Sequence, residues 1–165
     1  MKFFLPLLFL VIAPFLQAQS SPARLSPVVR PAPDFQWESF NDGSKALRSL
    51  KQQPVVLIVA RSARTGAFRK QLREVERLYR QFAGRETLFV AAFTEESGVV
   101  KSDIPFLIAR DPQGIAANYG FSGSPFGIAV IGPDFNIDLA SYKVTSGERL
   151  RDIIDNSYTR QSIRR

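Results

Sequence analysis

Cysteine and histidine are both missing from the 165 residues, and methionine and tryptophan occur once each. Without the first two, the chain has no Cys–His pair, no Ser-His-Asp triad, no zinc site built from the usual ligands and no disulfide. A lipoprotein start, whose lipid is carried on a cysteine, is not expected either. Stability must therefore come from packing. The longest apolar stretch, Phe3 to Phe15, is interrupted by Pro6 and Pro14 and falls short of the roughly 20 residues that span a bilayer.

What is present suits one globular domain: 45% hydrophobic and 22% charged residues, within the ordinary range for a chain that buries a core. Met1-Lys2, the apolar stretch and Leu16-Gln17-Ala18 have the charge, hydrophobic length and small exit residue of a secretory signal. Cleavage is expected after Ala18, with an uncleaved membrane anchor as the alternative. The export reading places the protein in the periplasm or outside the cell, with no stable membrane span after cleavage. The formal net charge is +7, and +6 once residues 1–18 are removed. Much of the excess lies in a basic tail, 159–165, read as solvated. No basic motif interleaved with aromatics points to nucleic acid.

Residues 19–33, rich in Ser, Pro, Ala and Arg, read as a linker, and the domain is expected over 34–158. Phe35, Trp37 and Phe40 suggest an extended segment, and Gly43 to Gln52, with Ala46, Leu47 and Leu50 on one face, suggests a short helix. Val55 to Ala60 is apolar on both faces and β-branched, as in a central buried strand. Phe68, Leu72, Val75, Leu78, Tyr79 and Phe82 recur at helical spacing and predict one helix over Ala67 to Phe82, closed by a left-handed Gly84. Thr87 to Phe93 predicts a second buried strand, parallel to the first. Pro105 to Ala109 reads as a brief strand and Gly114 to Tyr119 as a short helix stopped by Gly120. Ile128 to Ile131 and Ile137 to Tyr142 form a hairpin about a type I turn at Gly132-Pro133-Asp134-Phe135. Gly147 to Tyr158 closes the fold as an amphipathic helix, started by Ser146-Gly147-Glu148. The Asp134-Phe135-Asn136-Ile137-Asp138 run superficially begins like a calcium loop, but Leu139 stands where that loop needs glycine and Thr145 where it needs glutamate, so no metal site is expected.

Three stretches resemble secreted thiol-disulfide oxidoreductases and peroxiredoxins of the AhpC/TSA type. The first runs from Val56 to Phe82: a buried strand, a short loop, then Arg69-Lys70-Gln71-Leu72 leading to Leu78-Tyr79-Arg80-Gln81-Phe82. The second is Phe106 to Gly114, with its Asp111-Pro112-Gln113-Gly114 turn, followed by Asn118-Tyr119-Gly120. The third, Gly123-Ser124-Pro125-Phe126 through Ile131, is similar to the segment that carries a cis-proline in that family. The resemblance implies an α/β, thioredoxin-like three-layer sandwich: a mixed central sheet flanked by helices. It also places the family's CxxC on Thr65-Gly66-Ala67-Phe68, where neither sulfur remains.

Thiol chemistry is thereby removed, because sulfur is both nucleophile and leaving group in disulfide exchange. Thr65 reads as a helix cap, since no credible base stands near it in the sequence. Arg61, Ser62, Arg64 and Arg69 surround the start of the helix. They either hold a small anion or are solvated or paired with Glu74 and Asp111. The resemblance further implies that Ser124, before a cis Pro125, offers its backbone to an extended peptide, with Phe126 and Trp37 as an apolar wall; the alternative is a proline kept for packing. The expected role is thus a non-catalytic binding module with no cofactor, taking an unknown protein or extended peptide of the envelope. An oxidoreductase or peroxiredoxin by descent and a structural subunit of an envelope assembly are the alternatives.

Overall fold

Six consecutive apolar residues, Val55–Ala60, have no polar face to show to water, so they can be accommodated only where both sides of a sheet are covered. In the computed structural model, which describes residues 30–39, 43–96 and 99–163, they form β3 at the centre of a five-stranded sheet. Every residue of β3 is buried. It pairs in parallel with β4 (Leu88–Phe93) and antiparallel with β6 (Phe126–Ile131). Outside these lie β5 (Phe106–Ile108), parallel to β4, and β7 (Ile137–Ser141), antiparallel to β6.

The alternation of β3 divides the interior into two layers. Val56, Ile58 and Ala60 face α1 (Gly66–Arg77), α2 (Tyr79–Ala83) and α4 (Gly147–Ile163), through Phe68, Leu72, Val75, Phe82, Leu150 and Ile154. Val55, Leu57 and Val59 face α3 (Pro112–Asn118) and an amino-terminal hairpin of β1 (Gln36–Ser39) and β2 (Gly43–Ala46). Each large apolar side chain taken fully out of water contributes roughly 1.5–3 kcal/mol before entropy is counted. A three-layer sandwich with a mixed central sheet results.

Several expectations are corrected by tertiary contacts. Gly43 to Gln52 is not a helix: Lys45 pairs with Trp37 in the hairpin, and only a 3-10 turn, Leu47–Ser49, follows. Extended pairing that sinks Trp37 and Leu47 into the core outweighs a marginal helical preference. The helix expected over 67–82 breaks at Leu78, whose φ of −116° leaves the helical region, giving α1 and α2. Gly84 is right-handed (φ −63°), and the left-handed residue of that turn is Glu86.

The linker expectation is shortened: Ala32 is buried, its N–H donates to the Phe135 carbonyl (2.9 Å), and Pro31 bridges Asn136. Tyr119 holds the same segment by donating its hydroxyl to the Pro33 carbonyl (2.8 Å), and burial pushes its phenol pKa up, keeping it a donor. At the other end α4 continues to Ile163, through most of the tail expected over 159–165. Residues 1–29, Phe40, the side chain of Tyr158 and Arg164-Arg165 lie outside the described residues. Among those described, no helix is long and apolar enough to cross a membrane.

The remaining local signals correspond to observed structure. Asp111 has φ 49° and caps α3 by accepting from the Gly114 N–H (3.0 Å), with Pro112 at the first turn. A Cβ at position 114 would fall on that carboxylate, so a larger residue there would displace the Asp111 cap. Phe135 N–H closes the hairpin turn on Gly132 O (2.9 Å). Asp134, at the start of the calcium-like run, accepts from Asn136 instead.

Helices α1 and α4 are joined on the surface by Arg77, which reaches Glu148 (2.5 Å) and Glu74 (2.9 Å). The hydrogen bond from Arg77 holds the Glu148 carboxyl down to about 2, from an ordinary value of 4.5, and Glu74 is lowered for the same reason. Both carboxylates are depressed in the folded state, so their contribution is present above their ordinary pKa and lost as pH falls toward the folded value. Urea midpoints of wild type and Arg77→Gln should therefore differ most above about pH 5 and converge as pH falls toward about 2. A gap that does not change with pH would count against this linkage.

Candidate functional site

The register of β3 against β6 places Ala60 opposite Phe126, so the residues that follow Ala60 and those that precede Phe126 emerge side by side. Arg61 and Ser124 accordingly line one small cleft of about 160 Å³ with Glu95 and Gln113. The loop that leads into α1 is closed upon itself. Thr65 N–H donates to Ser62 O (3.1 Å), Ser62 N–H to Thr65 Oγ1 (3.1 Å) and Arg64 N–H to Ser62 Oγ (3.3 Å). Thr65 thus stands at the N-cap position, but its hydroxyl turns back to the loop and caps no helix amide, contrary to expectation.

Phe68 is buried (1% exposed) and packs edge-on against Phe93, with ring centroids 5.1 Å apart, and against Phe106 at 6.1 Å. Phe68, expected at the second cysteine position of the family's CxxC, is therefore a core residue. Gly66 and Ala67 complete the first turn of α1.

The arginines do not pair with Glu74 and Asp111. Their partners come from the loop after β4: Arg61 with Glu95 (3.2 Å) and Arg64 with Glu96 (3.9 Å). The same loop is fixed by main-chain bonds from Glu95 N–H and Glu96 N–H to the Arg61 carbonyl (3.0 and 3.2 Å). Sequence distance hid these acids, which parallel pairing of β3 with β4 brings alongside. Both side chains of the Arg61–Glu95 pair are more than half exposed, so the pair is a weak one. Arg64 and Arg69 face the other way, into a separate groove of about 650 Å³ beside α1.

The proline loop also departs from expectation. No peptide bond among the described residues is cis, so the Ser124–Pro125 bond is trans. The chain reverses at Gly123 (φ 73°) instead, in a turn closed by Ser124 N–H on Phe121 O (3.1 Å). Ser124 Oγ then donates to Phe126 O (2.7 Å). With the turn made by glycine, the usual trans preference of an X–Pro bond is unopposed. The Ser124 N–H is occupied internally, and Phe126 and Trp37, both buried, form no wall; Pro125 itself is exposed.

One important polar residue was missed. Gln71 is fully buried; its amide donates to Thr145 O and accepts from Thr145 N–H, both at 2.8 Å. It occupies the apolar stripe of α1 between Phe68 and Leu72, and a glutamine in that register was the available signal.

This architecture is the thioredoxin-like fold, carried here by a chain that contains no cysteine. Among solved structures it is similar to the thiol:disulfide interchange protein DsbE of Chlorobium tepidum, with a TM-score of 0.63 and 18% identity over 78% of this chain and 96% of that one. It is also similar to the reduced 2-Cys peroxiredoxin of Plasmodium vivax (TM-score 0.61, 14% identity, 80% and 96% covered). A third likeness is the thioredoxin domain of a thiol-disulfide oxidoreductase from Bacteroides vulgatus (TM-score 0.59, 18% identity, 76% and 94% covered). The sequence matches no protein-family model and no curated protein.

Proposed function

We propose that this is an exported, non-catalytic binding module of the periplasm or extracellular space, working through the face around the start of α1. The observation that carries the reading is the state of Thr65 and Phe68, the positions that the resemblance assigns to the family's sulfurs. Thr65 is held in a closed loop and Phe68 is part of the core, while the loop at 61–65 and the turn at 123–125 still stand side by side. A scaffold that keeps this surface without the nucleophile retains only noncovalent uses for it. Export is supported by the charge and apolar pattern of residues 1–18. The partner is a protein or extended peptide of the envelope.

The purified protein should leave insulin disulfides and hydrogen peroxide at their background rates. A photo-crosslinking residue at Arg64 or Pro125, both exposed, should give discrete adducts in the native envelope, and one at the exposed Arg149 of α4 should give none. Identical patterns from all three positions would remove the binding reading, and turnover of either substrate would remove the non-catalytic one.

A further inference from the structure

We infer that the groove beside α1 binds a short acidic peptide segment in which carboxylates alternate with apolar side chains. The inference rests on the binding reading above and names its partner's chemistry. The groove, of about 650 Å³, runs between the outer side of α1 and the segment 99–101. Its volume lies within the range of natural ligand pockets, roughly 300–1,000 Å³. The floor is apolar: the edges of Phe68 and Leu72, with Val100 packed on the core beside them. Val99 stands on the rim, 86% exposed.

Charge selects the occupant. Arg64, Arg69, Arg73 and Lys101 line the groove against only two acids, Glu76 and Glu96. Glu76 is engaged by the Ser102 hydroxyl (2.8 Å) and Glu96 lies 3.9 Å from Arg64. Arg69, Arg73 and Lys101 form no ion pair among the described residues. A basic segment is therefore repelled, which disfavours this chain's own arginine-bearing ends as occupants.

The spacing decides between a peptide and a single-headed amphiphile. An amphiphile needs its cations gathered at one end of an apolar slot. Here Arg69 and Arg73 are one helical turn apart, about 6 Å along α1, with Arg64 before the helix and Lys101 across the groove. In an extended peptide, alternate side chains on one face recur at about 6.8 Å, a near match for carboxylates at successive cations. The intervening apolar side chains point to the strand's other face, toward Val99 and Val100 across the groove from α1.

The probe is a fluorescein-labelled synthetic peptide of alternating glutamate and leucine, titrated against the purified protein by anisotropy and by amide chemical shifts. Binding should weaken about tenfold in Arg69→Glu/Arg73→Glu, weaken with added salt, and vanish for the peptide with glutamine in place of glutamate. Both arginines are exposed, so the melting temperature of the variant checks that folding is intact. Shifts should cluster at 64–73 and 99–101. Peptide binding that moves Ser124 and its neighbours instead, unaffected by the charge reversal, would overturn the groove assignment and leave the binding reading standing. No peptide binding, together with adducts from Arg64 or Pro125, would do the same; no binding and no adducts would sink both. Binding to phosphatidylglycerol vesicles with none to the peptide would overturn the assignment in favour of a membrane surface.

Discussion

Replacing Phe68 by alanine should lower the unfolding free energy by about 3–5 kcal/mol, the range for removing a large aromatic side chain from a packed core. The site has little room to relax. Phe68 meets Phe93 and Phe106 edge-on, and Phe89 in turn meets Phe82 and Phe106, so one ring removed opens a hole inside a connected aromatic cluster. Its position at the start of α1 ties that helix to β4 and β5 through the same contacts. Urea denaturation at neutral pH measures the change, and Phe68→Leu should cost distinctly less because most of the volume is kept. A loss below about 1 kcal/mol for alanine would show that the ring is dispensable to the core.

Gln71→Met is expected to cost about 3 kcal/mol although the side chains are close in size. The thioether cannot donate to Thr145 O or accept from Thr145 N–H as the amide does, so two main-chain groups at a buried junction lose their partners. Each such group costs about 1–3 kcal/mol when left unsatisfied. Because methionine fills the space, the loss reports hydrogen bonding, with no cavity to confuse it. The contact also fixes the approach to α4, since Thr145 lies two residues before Gly147, whose own N–H donates to Glu74 (3.1 Å). Hydrogen exchange of the Thr145 and Gly147 amides should accelerate in the variant. Stability within about 0.5 kcal/mol of wild type would sink the assignment.

These two residues sit three positions apart on one helix, yet they were unequally legible. Phe68 could be placed in the core from spacing alone, because Phe68, Leu72 and Val75 repeat with the period of a helix that buries one face. Gln71 shares that face, but its partner lies 74 residues away, and no local pattern specifies an amide-to-backbone clamp across that separation. The same division runs through the candidate site. The strand before the loop and the Asp-Pro-x-Gly turn are set by short-range sterics and hydrogen bonding and were visible in the residues; the Gly123 turn before a trans Pro125 and the Asp111 cap were not read from them. The ion-pair partners of Arg61 and Arg64 and the direction in which Arg69 faces depend on which loops the sheet order brings together.

The amino acids by themselves determined one thing this protein cannot do: with no cysteine, thiol exchange is closed to it whatever its shape. They also determined a central strand buried on both faces, since a run such as Val55–Ala60 has no polar side to expose. Only the tertiary structure decided that Gly43–Ala46 is a strand, that the bond before Pro125 is trans, and that one cationic surface is in fact two, a small cleft at Arg61 and a groove at Arg69. The trans bond follows the ordinary X–Pro preference once Gly123 makes the turn. The strand and the division of the surface turn on contacts between segments far apart in the chain, whose energies outweigh local preferences worth a fraction of a kcal/mol per residue.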